Sequence, residues 1–502
     1  MLVSQSRSGG YSLAAAIANN TSSYGATGAN SIAIGQLSKA TAINSIAIGD
    51  TATSTTANQI ALGGTTDTVK ISGAYTLPTS DGTNGQVLTT DGSGAVTFAD
   101  AGGGGADLYA ANPSSATDPT ASGANDVAIG SNASATGSRS VSIGYSSASN
   151  GVRGLAIGYS AFCDGTYASA IGRSYASGAD SFAAAIGSNS SSLGATGSYS
   201  IAIGRQANAS ATDAVAIGLD AVSSNTESTA VGSGAIASGN SSFAGSNSRV
   251  TGSDSVAFGV TLNSTSYGAL SHKCFVAGYA AKATNMFSTA IGASAQALGT
   301  YATTIGDNAK ILGGNYNSAF GAYSEITSNA SSALVLGHKA KSAQQYATAI
   351  GYEAYSDIIG KYAYASGKFS ASGDALGGMY ILRADTTDAT ATVLTTNNST
   401  AAATNQIVAA SDTCITFDGT ITAMQNGAQA YASWKIEGLL VNDGGTTTLA
   451  NSSTTAIQNL SSWGMALSAD NTNNALAITC TGEASHNIRW VAHIRTSEVT
   501  YA

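Results

Sequence analysis

Apolar and small residues alternate in short bursts along most of this chain, and each burst ends at a glycine. The burst reads Ser31-Ile32-Ala33-Ile34-Gly35, then Ser45-Ile46-Ala47-Ile48-Gly49. It returns as Asp126-Val127-Ala128-Ile129-Gly130, Ser140-Val141-Ser142-Ile143-Gly144 and Gly154-Leu155-Ala156-Ile157-Gly158. Later copies end at Gly172, Gly187, Gly204, Gly218, Gly232, Gly259, Gly292, Gly306 and Gly351. From Gly130 to Gly172 every step is 14 residues, and most other steps are 13 to 17. A fixed internal period decides the fold class before any local assignment is made.

One period predicts two strands. Val127 and Ile129 share one face of the first, and Ala128 takes the other, because side chains alternate along a strand. Gly130 breaks it and permits a tight bend. In the following Asn132-Ala133-Ser134-Ala135-Thr136, the alanines face one way and the polar residues the other, which predicts a strand dry inside and wet outside. Two strands of about five residues and two bends of about two add up to roughly one period. Each period is therefore one coil of a solenoid. The first strand has no polar face. Its Val/Ile face is expected to bury against the second strand of the same coil. Its Ala/Ser face then needs cover from elsewhere, and several chains wrapped around a common axis would supply it.

These phrases resemble the head repeat of trimeric autotransporter adhesins, the YadA-like left-handed β-roll, over about residues 25–63 and 125–372. The resemblance implies a homotrimer. It does not imply one function, because a fold hosts many.

Composition narrows the choice. Charged residues are 9% of the 502, glycine numbers 60, and proline appears three times, as expected when backbone donors are used in ladders. The net charge is −9 with no Lys/Arg cluster, which argues against nucleic-acid binding. No apolar run is long enough for a membrane helix, and Met1 to Arg7 does not read as a signal peptide. Cys163, Cys274, Cys414 and Cys480 lack metal or redox spacing and read as small buried residues of a chain folded in a reducing cytoplasm.

The chain then falls into four expected segments: an N-terminal attachment segment with a short β-roll (1–63), a β-hairpin linker (64–105), the β-roll shaft (106–372) and a C-terminal β-sandwich knob (373–502). In the linker, Gln86 to Thr90 and Ala95 to Phe98 flank Asp91-Gly92-Ser93-Gly94, a hairpin signal, and Gly102 to Gly105 reads as a hinge. The phrase from Leu77-Pro78 through Gln86-Val87-Leu88 to Phe98 looks like a module of phage tail fibres. In the shaft, Tyr145, Tyr159, Tyr279 and Tyr352 follow the bend and are expected along one ridge, packing over turns. About seventeen coils at ~4.8 Å per rung would make a rod about 80 Å long.

Beyond residue 372 aromatics and charges return, and all three tryptophans lie there. Alternation in Met379 to Ala384, Thr413 to Met424, Ala428 to Leu440 and Asn487 to Tyr501 predicts half-buried strands. Turn signals at Asp418-Gly419, Asn426-Gly427, Asp443-Gly444-Gly445 and Asp470-Asn471 divide about eight of them, which predicts a β-sandwich or jelly roll. Ala432 to Gly438, Trp463, Arg489 to Ala492 and Thr496 to Val499 resemble a C-terminal module of phage tail fibres and other phage structural proteins, which implies a trimeric knob at a fibre tip.

No phosphate loop, nucleophile elbow or zinc-helix motif is present, so the chain is not read as an enzyme, and no cofactor or metal is assigned. The candidate receptor contacts are Asp443, Thr446, Asp470 and Asn474, on loops of a rigid scaffold, and Arg489, His493 and Arg495, on the exposed face of the last strand. The expected fold class is all-β: a trimeric left-handed parallel β-roll solenoid with an antiparallel β-sandwich knob. The expected role is a phage tail fibre, assembled in the host cytoplasm, joined to other virion proteins, and binding a host surface polysaccharide or protein without inserting into membrane. A capsid-bound head fibre, a structural spacer and a bacterial trimeric adhesin are the alternatives.

Overall fold

A computed structural model of the chain describes residues 10–15, 24–71, 75–100, 117–187, 190–259, 265–427, 429–458 and 462–501. All regular structure among them is β-strand. The chain divides into two compact units, Met1–Asp107 and Leu108–Ala502. The predicted hinge at Gly102 to Gly105 lies outside the described residues.

In the first unit, Leu13–Ala15, Ile32–Ile34, Ile46–Ile48 and Ile60–Leu62 stack in parallel, and Gly25–Ala26, Lys39–Ala40 and Thr53–Ser54 form a second parallel stack. Asn30, Asn44 and Asn58 join successive turns through side-chain amide bonds of 3.1 Å. The predicted hairpin is present: Gln86–Thr90 pairs antiparallel with Val96–Asp100, and Asp91 caps the turn by accepting the backbone N–H groups of Ser93 and Ala95.

The second unit holds the long solenoid. Two-residue strands from Thr120–Ala121 to Tyr355–Ser356 make a 17-stranded parallel sheet. Three- and four-residue strands from Val127–Ile129 to Tyr362–Ala365 make a second parallel ladder facing it. The strands are shorter than the five residues expected: of the 14 residues 141–154, three and two lie in strands and the other nine make the turns and their flanks. The last residue of most turns adopts a left-handed conformation, as at Arg139, Arg153 and Tyr167 with φ of 63°, 57° and 59°. Such a residue stores on the order of 1 kcal/mol of strain. Rung-to-rung backbone bonds hold it, such as Arg153 N–H to the Ser138 carbonyl and Tyr167 N–H to the Val152 carbonyl, both 2.9 Å.

Two glycine positions per coil have distinct jobs. Gly144 sits at φ 127°, where an L-residue is strained, and a Cβ there would lie 2.4 Å from the Gly158 oxygen. Gly151 has no such φ, yet its Cβ would lie 2.0 Å from the Gly165 oxygen, so close stacking alone requires it. The serine that opens many three-residue strands closes the preceding turn: the hydroxyls of Ser31, Ser200 and Ser242 donate to the carbonyls of Gly28, Gly197 and Gly239 at 2.6 to 2.7 Å.

The structure reverses the expected facing of the three-residue strands. Ala156, Ala170, Ala202, Ala216 and Ala230 are fully buried inside their own coil. They meet Ala161, Ala176, Ala207, Ala209 and Ala221 from the opposite wall in one continuous core. The Val/Ile flanks point outward, and Val127, Ile171, Ile201, Ile217 and Val231 are exposed. A flat coil of two short strands leaves a shallow interior, filled by methyl groups in most coils and by a larger side chain such as Ile311 or Ile326 in a few, so the small face turns in. The outward alternation of the two-residue strands follows expectation, with Ala133 and Ala135 buried.

The solenoid passes directly into the C-terminal region. Tyr362–Ala365 pairs antiparallel with Ala375–Thr386, which is followed in space by Ile488–Thr500, Thr413–Gln425, Tyr431–Asp443 and Thr446–Gln458. The ladder and these five long strands form one 22-stranded sheet. A smaller antiparallel sheet of Ala391–Val393, Ile407–Val408, Gly464–Asp470 and Ala475–Thr481 shares a core with it, built from Tyr380, Phe417, Trp434, Trp463 and Trp490 among others. Asp418-Gly419 is not a turn. It lies mid-strand, where a Cβ on Gly419 would meet the His493 carbonyl oxygen at 2.3 Å, so the glycine admits a close neighbouring strand.

At the junction a lysine replaces the turn-closing serine. Lys361 precedes the last ladder strand, is buried, and bonds Glu498 of the final strand at 2.7 Å, with Asp357 at 3.6 Å. Tyr380 donates to the same Glu498 carboxylate at 3.0 Å and Thr496 at 2.6 Å. Burial alone would pull the Lys361 pKa down, but the Tyr380 oxygen and the Glu498 and Asp357 carboxylates outweigh it and raise it.

Candidate adhesive surface

The outward face of the ladder is the most unusual surface of the molecule. Its flanking positions run from Val127 and Ile129 to Tyr362 and Tyr364, and none of them is charged. They are valine, isoleucine, leucine, phenylalanine, tyrosine, threonine, serine, alanine or glycine. Seventeen rungs at ~4.8 Å make an uncharged, largely apolar strip about 80 Å long. Monomers ordinarily expose contiguous apolar surface only in small patches.

The turns carry a second pattern, ladders of stacked rings. Tyr145 stacks on Tyr159 at 5.5 Å between centroids, and His338 on Tyr352 at 5.2 Å. On the opposite turn, Phe287, Tyr301 and Tyr316 stack at 4.7 and 4.9 Å, with the Lys273 ammonium over the Phe287 ring. Within each stack the rings cover one another's facing sides, which favours the expected packing over turns.

In the C-terminal region the predicted alternation of the last strand holds. Ile488, Trp490, Ala492 and Ile494 are buried, while Arg489, Val491, His493 and Arg495 are exposed. Arg489 pairs with Asp385 at 3.2 Å, and Arg495 with Asp418. His493 sits between Ile381 and Thr420 on the neighbouring strands. The loop candidates form a separate group. The Thr447 backbone N–H donates to Asn471 at 2.7 Å and its hydroxyl to Asn474 at 3.3 Å, so the Asp443 to Thr446 hairpin and the Asp470 to Asn474 turn meet. Asp470 accepts the N–H groups of Thr472 and Asn473. Burial pushes its carboxyl up, and the bonds from Asn473 and Thr472 more than offset this and lower the pKa, so the residue shapes its own turn. The two candidate groups are not brought together: Asp443 and Thr446 lie at the end of the sheet where Thr413 and Thr500 pair, whereas Arg489 lies at the other end of the long strands.

One groove was not foreseen. About 620 Å³ opens beside the Asp385–Arg489 pair, lined also by Met424, Gln425, Asn426, Asn487 and Val491. Its one trace in the sequence was Asn426-Gly427, read only as a turn. Among the described residues no group of three or more His, Cys, Asp or Glu is placed to hold a metal ion, and no helix is long and apolar enough to cross a membrane. All four cysteines are free, with Cys414 half-buried on the outward sheet face and the other three buried.

A family model described as the YadA head domain repeat (2 copies) matches residues 26–52, 121–147, 149–174, 195–221, 223–244, 277–295, 283–309 and 328–354. The coils of this chain are similar to YadA head repeats. The YadA-like segments fall on both compact units and on coils whose alanines face inward. No curated protein matches the sequence. Among solved structures, the tailspike protein of Acinetobacter phage vB_ApiP_P1 aligns at 9% identity and a TM-score of 0.19, over 75% of this chain and 81% of that one. The tailspike protein of Acinetobacter baumannii phage AM24 aligns at 8% identity and a TM-score of 0.15, over 75% of this chain and 57% of that one.

Proposed function

We infer that this chain is a homotrimeric, adhesive fibre protein of a phage, with no catalytic role. The observation that carries the reading is the uncharged strip along the ladder. A surface of that length and apolarity needs cover, and sister chains with the same strip supply it along the whole rod. The similarity of the coils to YadA head repeats supports a shaft of this kind. The resemblance of the 77–98 hairpin and of the C-terminal strands to phage tail fibre modules directs the assembly to a virion. Its C-terminal region then meets the host surface, where three copies multiply weak contacts.

Sedimentation of the full chain tests the assembly. The expected species is three times the 49.3 kDa chain mass, and a monomer at every concentration would remove the basis of the reading. Immunogold labelling of intact virions separates a phage fibre from the second reading, a bacterial surface adhesin, which the repeat similarity also favours.

A further inference from the structure

We propose that the outward face of the C-terminal five-stranded sheet is also an interface between sister chains, so that Arg489, His493 and Arg495 lie within the assembly and do not contact a receptor. This rests on the trimeric shaft proposed above and extends it to a region that the shaft repeats do not reach.

Three observations lead there. First, the face is continuous with the uncharged strip. Tyr362 on the last coil stands opposite Met379, Met379 opposite Arg495, and Arg495 opposite Asp418, all on the outward side of one sheet. A strip covered by sister chains up to Tyr362 would place the same chains against the next strand, one ~4.8 Å step on. Second, the face combines exposed apolar side chains with internally paired charges, a mixture that an interface can bury. Met379, Ile381, Met424, Tyr431, Val491 and Val499 are exposed on it. Three carboxylates of the face are already paired within the chain, Asp385 with Arg489, Asp418 with Arg495 and Glu437 with Lys435, and Arg383 donates to the Thr396 carbonyl. Asp443 has no such partner among the described residues and lies at the strand end, at the rim of the face, so the charges towards the middle of the face would not be buried unpaired. Third, the sheet ends on an unprotected edge. Thr446–Gln458 carries no charged residue and no proline, and it is exposed on both sides from Ala450 onward. Soluble proteins blunt such edges or cover them.

The occupant is a second copy of this chain, because the covering surface must continue the self-complementary strip without a break. The test uses thiol labelling of the full-length chain in two variants, Val491→Cys on the proposed interface and Tyr346→Cys on an outward turn, where the native side chains are 44% and 63% exposed. A bulky maleimide is expected to label position 491 at least about tenfold more slowly than position 346 in the native trimer, since buried sites react through rare opening. Both should label equally in denaturant, above the background of the four native thiols. Ile381→Cys repeats the measurement on the neighbouring strand. Equal rates at 491 and 346 in a chain that sediments as a trimer would overturn the proposal and leave the shaft reading intact. A chain that sediments as a monomer would overturn both.

Discussion

The solenoid and the C-terminal region are parts of one continuous sheet, yet they are stabilised by opposite means. Inside the coils the buried residues are nearly all alanine and serine. Each contributes little apolar area, so the coil depends on a backbone ladder that continues through its turns and on glycine-thin stacking between rungs. In the C-terminal region the core holds Trp434, Trp463 and Trp490, with the Trp490 ring 5.6 and 5.7 Å from the other two, and large side chains carry the stability. A ladder is intolerant of backbone error and indifferent to side-chain volume outside. A large core is the reverse.

Four changes would break or sharpen that contrast. The largest effect is expected from Gly151→Val in the shaft, where the added Cβ meets a backbone oxygen that no rotamer avoids. Unfolding monitored by circular dichroism should show a loss of more than about 4 kcal/mol. Tryptophan fluorescence, which reports only the C-terminal region, should change far less. Trp490→Ala is expected to do the opposite, costing about 4 kcal/mol in the fluorescence transition while the circular dichroism of the shaft persists. Lys361→Met probes the seam. Removing the cation leaves Glu498 buried with only hydroxyl partners, for a loss of about 3 kcal/mol, and the double variant Lys361→Met, Glu498→Leu should recover most of it in denaturant titrations. The smallest effect is acid loosening of the same seam. Burial works to raise the Asp374 pKa, but the backbone N–H groups of Ser370, Ala371 and Phe369 lower it below the ordinary carboxylate value. The Lys368 ammonium lowers that of Glu353. A depressed carboxylate stabilises above the unfolded pKa of about 4 and ceases to do so as pH falls through the folded value. The thermal midpoint should therefore hold from pH 7 to 5 and drop by a few degrees towards pH 3.

Much of this architecture is legible before any coordinates. The period, the glycine at each bend and the alternation of Ala133 with Ser134 follow from spacing alone. So do Ile488, Trp490, Ala492 and Ile494 on one side of a strand. The facing of Val127, Ala128 and Ile129 does not, because a strand without a polar side gives alternation nothing to act on. Volume decides it. Most two-residue strands already turn alanine inward, and a coil with one methyl-deep wall leaves little room for a branched side chain on the other; Ile311 and Ile326 show that a single coil can take one. Asp418-Gly419 misleads in a similar way, since glycine serves a tight crossing of strands as well as a bend. The candidate site is less legible still. The meeting of Thr447 with Asn471 and Asn474, and of Lys361 with Glu498, spans long stretches of chain and depends on sheet order that local pattern cannot supply.

The three-residue corners on either side of a regular coil, such as 144–146 and 151–153, carry a consequence for how such a rod changes over time. Removing one whole repeat, such as residues 141–154 between Ser140 and Leu155, would shorten the rod by one ~4.8 Å notch and leave every remaining column aligned. Removing half of one would swap front and back from that point on, setting serine and asparagine where isoleucine belongs. Reach can thus be tuned only in whole increments, like links taken from a chain, and duplication of a single repeat is the cheapest way to lengthen it.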